Sequence, residues 1–525
     1  TRLGVSLELF RFSCSRNIYW YKAVQCHFRT EIKTRIWVVC ISNGDLHSRK
    51  RVNVLNLIDS KMKIEQLYTG CLAEAAYYIE SEGEVAIIDP LRETEPYLKM
   101  VEGNGAKIKY IFETHFHADF VSGHVDLARE TGATIVFGPT AKTGFDSHMA
   151  VDGEEFLVGK VTIKVLHTPG HTVESATYLL LDESGKEHCI FSGDTLFIGD
   201  VGRPDLAIKS DLTQDDLAGM LYESLRTKIM TLPDDVIVYP AHGAGSACGK
   251  NMSTETFDTL GHQKEVNYAL QDMTKEAFIK EVTDGILPPP QYFPKNAMLN
   301  KTGYASVDEV VSNGNSSLSL EAFKLEMENG ALVLDTRNAQ EFNNGFVPNS
   351  LFVGVSGGFA VWLATLVEDL NQRIIFIAEE GTEEEVVVRA SRVGFDNVAG
   401  YLNGGIQTWI DAGENVETIE SIEPENFAKR TTERTVLDVR KSGEYEAEHV
   451  ENAETFPLDY IRKEISHLDK DKEYFVHCKG GYRSMIASSI MKANGINNII
   501  EVIGGMDAIL TTDAPITQFI CPSTL

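Results

Sequence analysis

The strongest constraint on this chain is a series of four His/Asp clusters, each set directly behind a strand-like apolar segment. Thr114-His115-Phe116-His117-Ala118-Asp119-Phe120 follows Ile108–Glu113, and His167-Thr168-Pro169-Gly170-His171 follows on from Val161–His167. Phe191-Ser192-Gly193-Asp194-Thr195 and Tyr239-Pro240-Ala241-His242-Gly243 complete the series. Two histidines at i and i+2 just past a strand point the same way and can converge on one ion. A single histidine is ordinarily a satisfied structural residue, and His124, His148, His188 and His262 are read that way. Four clusters in order, within a stretch holding nine of the 14 histidines, read as a metal site.

Between residues 62 and 282 the strand-like segments Val85–Asp89, Ile108–Glu113, Thr134–Phe137, Val161–His167 and Val236–Tyr239 alternate with helical ones. The expected class is therefore α/β. Leu287-Pro288-Pro289-Pro290-Gln291-Tyr292-Phe293-Pro294 then reads as a stiff, extended linker that cannot be helix interior. Beyond it the chain repeats itself. Val333-Leu334-Asp335-Thr336-Arg337 is echoed by Val436-Leu437-Asp438-Val439-Arg440, and Gly404-Gly405 by Gly504-Gly505. A repeat this long is a duplicated domain, and each copy reads as a small α/β unit.

The second copy contains Tyr474-Phe475-Val476-His477-Cys478-Lys479-Gly480-Gly481-Tyr482-Arg483-Ser484. An apolar strand runs into a cysteine, a glycine-rich loop of amides and a helix start, which together favour a thiolate and can cradle the outer sulfur of a persulfide. Four residues, Lys479, Gly480, Gly481 and Tyr482, separate Cys478 from Arg483. Protein phosphatases of this general design have a wider, five-residue loop. The smaller ring resembles the rhodanese sulfurtransferases, which implies Cys478 as the sulfur carrier and Arg483 beside it as a catalytic group. Asp438, Arg440 and His449 read as framework residues, and His477 as structural. In the first copy, aligning Phe376 with Phe475 sets Glu379 opposite Cys478 and Glu384 opposite Arg483, so that copy reads as an inactive rhodanese domain.

The order of the His/Asp clusters resembles the metallo-β-lactamase superfamily, an αββα sandwich with metals at one edge of its sheets. Its hydrolases, glyoxalase II among them, carry His-x-His-x-Asp-His. Here the last position is Phe120, which cannot ligate, so a two-metal hydrolase is disfavoured. The persulfide dioxygenase branch uses a single iron held by two histidines and one aspartate. That resemblance implies His115, His171 and Asp194 as ligands, with three positions left open for substrate and O₂. It places His117, Asp119 and His242 behind them, orienting ligands and bound water. Gly202-Arg203-Pro204-Asp205 also fits that branch, with Arg203 either ordering its loop or meeting a carboxylate of a thiol substrate. Cys248 is read as packing.

The expected architecture is thus an α/β multidomain chain. Residues 1–61 form an extension outside the fold, with Met62 opening the protein proper, and residues 62–284 form the metallo-β-lactamase-like domain. A Pro-rich linker at 285–304, an inactive rhodanese-like domain at 305–418 and an active one at 419–525 follow. The resemblance implies one Fe(II) per chain, and as substrates O₂ and a low-molecular-weight thiol persulfide of glutathione, coenzyme A or a relative. Sulfite would be the product, passed with a sulfur from Cys478 into thiosulfate. A glyoxalase II-type thioester hydrolase and a non-catalytic persulfide carrier or sensor are the alternatives.

Composition narrows the partners. The net charge is −29, but the first 63 residues hold 12 Lys or Arg against 4 Asp or Glu. The acidic remainder argues against nucleic acid or an anionic membrane as partner. No apolar run approaches a membrane span. The eight cysteines show no CxxC pair and no disulfide-like spacing, which suits a reducing, cytoplasmic setting. The oligomeric state is left open, homo-oligomers included.

Overall fold

A computed structural model describes residues 12–14, 17–19, 62–207 and 212–520. Within the proposed extension it contains one short antiparallel pair, Phe12–Cys14 with Asn17–Tyr19. The rest of that extension, with Cys26 and Cys40, lies outside the described residues, as does Cys521.

From residue 62 onward two six-stranded sheets stack face to face. The first runs in the order Lys63–Thr69, Glu74–Ser81, Glu84–Ile88, Lys107–Glu113, Thr134–Phe137, His148–Met149. The second runs Asp258–Thr259, Ile237–Pro240, Glu187–Gly193, Ala176–Leu181, Val161–His167, Glu155–Val158. Along Val161–His167 the side chains of Val161, Ile163 and Val165 alternate inward, so one face enters the core and the other does not. They meet Tyr178 from the neighbouring strand and Tyr77 and Phe112 from the facing sheet in an aromatic-rich layer between the sheets. Helices Glu95–Asn104 and His124–Thr131 cover one outer face, and Gln214–Ser224 and Lys275–Thr283 cover the other. This is the expected αββα sandwich. Its four His/Asp clusters fall just beyond the C-terminal ends of Lys107–Glu113, Val161–His167, Glu187–Gly193 and Ile237–Pro240.

The proline-rich segment differs from expectation. The 285–304 stretch is a linker only in its first part: Pro288–Pro290 lie in no regular element, but Phe293–Thr302 is a helix with Pro294 in its first turn. A proline there gives up only an N–H that has no partner within the helix, so it starts the helix instead of breaking it. This helix buries Phe293, Asn296 and Asn300.

The two following domains have the same five-stranded parallel sheet. One runs Ser317–Leu318, Val398–Leu402, Ile374–Ile377, Leu332–Asp335, Leu351–Phe352. Its counterpart runs Glu420–Ile422, Ile499–Val502, Tyr474–His477, Thr435–Asp438, Glu454–Thr455. The central strands Ile374–Ile377 and Tyr474–His477 are buried along their whole length, as parallel strands covered on both faces require. Asp335 pairs with Ile377 and Asp438 with His477. That register makes Ala378, not Glu379, the counterpart of Cys478. Phe376 therefore answers Val476 and not Phe475, a shift of one residue, and the first copy has no thiol at either position. One apolar cluster is continuous from Phe120 through Phe293 and Phe376 to Val476 and Cys478.

Candidate metal centre and sulfur-carrying loop

His115, His171 and Asp194 come together, all buried, at the end of the sandwich. Asp194 follows Gly193, whose φ of +54° and the 2.6 Å separation of a would-be Cβ from Thr114 leave room only for glycine. His171 Nε2 lies 3.3 Å from Asp194 Oδ2, and His115 Nε2 lies 3.9 Å from the same oxygen. His171 Nε2 and Asp194 Oδ2 are buried with no hydrogen-bond partner. Buried acceptors left unpartnered in this way are costly unless something fills the gap between them. The two imidazoles and one carboxylate fit a divalent transition metal.

The tautomers agree with that fit. His171 Nδ1 is 2.9 Å from the Arg203 carbonyl, which can only accept, so Nδ1 carries the proton and Nε2 a lone pair. The Thr114 hydroxyl donates to Asp89 at 2.8 Å and therefore accepts from His115 Nδ1 at 3.0 Å. Burial holds both imidazoles below their ordinary pKa, with His117 adding to the effect at His115. Burial alone would raise the Asp194 pKa, but His242, His171 and His115 around it hold it well below the usual range.

His242 is a bridge. Its Nδ1 is 2.8 Å from Asp194 and its Nε2 is 2.8 Å from Asp119. Burial opposes its charge, but the two carboxylates outweigh burial and raise its pKa well above the ordinary value. The bridge occupies Asp194 Oδ1 and leaves Oδ2 facing His115 and His171. His117 stands 3.0 Å from Asp89 and 3.7 Å from Glu113, with its ring between His115 and the fully buried Phe120. Asp119 and His242 also lie close to the Cys248 thiol, which burial pushes up in pKa. Among residues not singled out by sequence, Asp89, Glu113 and Glu74 are buried beside the site, and Glu74 has both oxygens unpartnered. Asp89 and Glu113 each close a strand-like segment, and that is the local signal the sequence carries for them.

Arg203 is the loop-ordering residue and not a free substrate contact. Its guanidinium holds Asp205 bidentately at 2.6 and 2.7 Å and donates to the carbonyls of Ala247 and Leu287. It is 7% exposed, and these bonds use four of its five N–H groups.

In the last domain, Cys478 is buried at the end of Tyr474–His477. The Gly481 amide donates to its sulfur at 3.1 Å, and Ser484 Oγ lies 3.5 Å away. Gly481 adopts φ +99° and opens helix Tyr482–Ala493, aiming the helix start at the sulfur. Lys479 and Gly480 are exposed at the mouth. Arg483 makes no hydrogen bond to the sulfur among the described residues; it pairs bidentately with Glu444 at 2.6 and 2.8 Å. Asp438 and Arg440 form a buried pair, and His449 stacks on Tyr445.

No helix among the described residues is long and apolar enough to cross a membrane.

Residues 69–242 match the metallo-beta-lactamase superfamily, and residues 319–412 and 423–512 each match the rhodanese-like domain. The mitochondrial persulfide dioxygenase ETHE1 of Homo sapiens is 31% identical over 211 residues, covering 40% of this chain and 74% of that protein. A hydroxyacylglutathione hydrolase of Rhizobium etli is 37% identical over 164 residues, covering 30% of this chain and 57% of that protein. A metallo-beta-lactamase crystal structure from Staphylococcus aureus superposes with a TM-score of 0.57 at 28% identity, covering 65% of this chain and 98% of that one.

Proposed function

This chain belongs to the metallo-beta-lactamase superfamily, in a form that carries two rhodanese-like domains behind the metal-site domain, and on that premise we propose that it is an iron-dependent persulfide dioxygenase coupled to a sulfurtransferase. The carrying observation is the donor set itself: His115, His171 and Asp194 converge, and His171 Nε2 and Asp194 Oδ2 face one another without partners among the described residues. His115, His171 and Asp194 would hold a ferrous ion, which would supply the redox chemistry that turns a persulfide sulfur and O₂ into sulfite. Thr114 and the Arg203 carbonyl keep the two imidazoles in the ligating tautomer. His242 fixes Asp194, and Phe120 closes the space beside His117 with an apolar ring.

At the second site the Cys478 thiolate attacks the outer sulfur of R–S–SH. The S–S bond breaks, R–SH leaves with the proton, and Cys478 keeps the sulfur as a persulfide anion. Sulfite then takes that sulfur, giving thiosulfate and regenerating the thiolate. The Gly481 amide and the helix start favour the negative charge throughout. In the full chain given a thiol persulfide under air, Cys478→Ser should accumulate sulfite in place of thiosulfate. Equal thiosulfate yields from variant and wild type would overturn the coupled step.

A thioester hydrolase is the second reading, supported by the similarity to the Rhizobium etli hydrolase. It needs a second metal beside Asp119, where His242 has both nitrogens committed to carboxylates. Two metals per chain would favour it.

A further inference from the structure

Asn300 lies on helix Phe293–Thr302, beyond the sandwich, yet it is completely buried against the loop that carries His115, His117 and Asp119. Its amide nitrogen donates to the carbonyls of His117 at 2.8 Å and Phe120 at 2.7 Å, and its oxygen accepts from the Ser122 amide at 2.9 Å. One side chain thus satisfies three backbone groups across six residues. Two neighbours extend the clamp from outside the sandwich. The Val121 amide donates to the Arg392 carbonyl of the first rhodanese-like domain at 2.7 Å, and Tyr304 bonds the Ser122 carbonyl. Between them, Asn300, Arg392 and Tyr304 take up the backbone of this loop, which the sandwich itself leaves unpaired at these positions.

We propose that Asn300 is a positioning residue for the metal centre, holding the His117–Ser122 loop so that His115 and the Asp119–His242–Asp194 chain stay in ligating geometry. The assignment rests on the metal reading of His115, His171 and Asp194. It gives the post-sandwich helix a function that a spacer lacks. An amide is suited to the task because it offers two donors and an acceptor in one plane. Each buried backbone group left open by its removal would relax the loop instead of remaining unpaired.

The test uses the full chain loaded anaerobically with Fe(II), with release followed by a ferrous-specific colorimetric chelator. Asn300→Ala should release iron at least tenfold faster than wild type. Asn296→Ala is the control: Asn296 is equally buried on the same helix but has no partner for its amide, and its loss should change the rate less than twofold. If Asn300→Ala fails to fold, Asn300→Asp keeps the size and the acceptor but loses both donors, and it should show the same acceleration. Release from the Asn300 variants at the wild-type rate, or equal acceleration in Asn296→Ala, would overturn the assignment. A wild-type chain that takes up no iron would instead overturn the metal reading, and this assignment with it.

Discussion

Tyr482, the residue next to Gly481 in the sulfur-carrying loop, donates its hydroxyl to the Gly354 carbonyl of the first rhodanese-like domain at 2.7 Å. Its ring lies over Gly357, where an added Cβ would come within 2.4 Å of two ring atoms. One face of the same helix is tied again by Ser489, whose Oγ accepts from the Phe352 amide at 3.1 Å. The domain without a nucleophile therefore forms the seat of the loop that has one.

Gly357→Ala should unseat Tyr482 and disorder the approach to Cys478. The expected loss in sulfur transfer is about tenfold, equivalent to ~1.4 kcal/mol, with oxygen uptake at the metal site unchanged. Parallel assays of thiosulfate formation and oxygen consumption check this. Full sulfur transfer in the variant would show that the seat does not matter.

Glu501 is fully buried in strand Ile499–Val502, with only the Ser484 and Ser421 hydroxyls bonded to it. Burial raises its pKa to about 7. An unfolded glutamate titrates near ~4.3, so the folded chain prefers the protonated form. Its contribution is complete below about pH 4.3 and is lost as pH rises to about 7, by at most ~4 kcal/mol. Glu501→Gln removes that dependence. Thermal unfolding from pH 5 to 8 should show the variant gaining on wild type as pH rises; parallel curves would refute the assignment.

Arg92 is fully buried and joins the sandwich to the first rhodanese-like domain. It pairs bidentately with Asp396 at 2.6 and 2.8 Å and donates to the carbonyls of Ser391 and Ala305. Losing one partner of a buried pair costs about 3–5 kcal/mol. Asp396 keeps 26% of its side chain exposed, so the lower end applies. Arg92→Ala should lower the melting temperature of this region, read by calorimetry, and a variant that melts like wild type would place the strength of the interface elsewhere.

Much of the site could be read from residue order, because its donors sit at strand ends and strand ends show in the sequence. Thr134–Phe137 and Val161–His167 have the expected bounds, and His115, His171 and Asp194 meet. What escaped detection depends on distant partners. Asn300 reaches a loop about 180 residues earlier in the chain, and nothing in Lys295–Thr302 signals that. Pro294 stood for chain stiffness in a proline run, whereas its position in the first turn makes it a helix starter. Ala378 could be placed opposite Cys478 only from the pairing of Ile377 and His477 with their neighbouring strands. Arg203 offered two readings, and only the positions of Asp205, Ala247 and Leu287 decided between them.

The central claim is a mononuclear iron site at His115, His171 and Asp194. Metal content measured on freshly purified full chain tests it most directly. A mononuclear centre predicts about one iron per chain, falling to near zero in His171→Ala; two zinc ions per chain would contradict it.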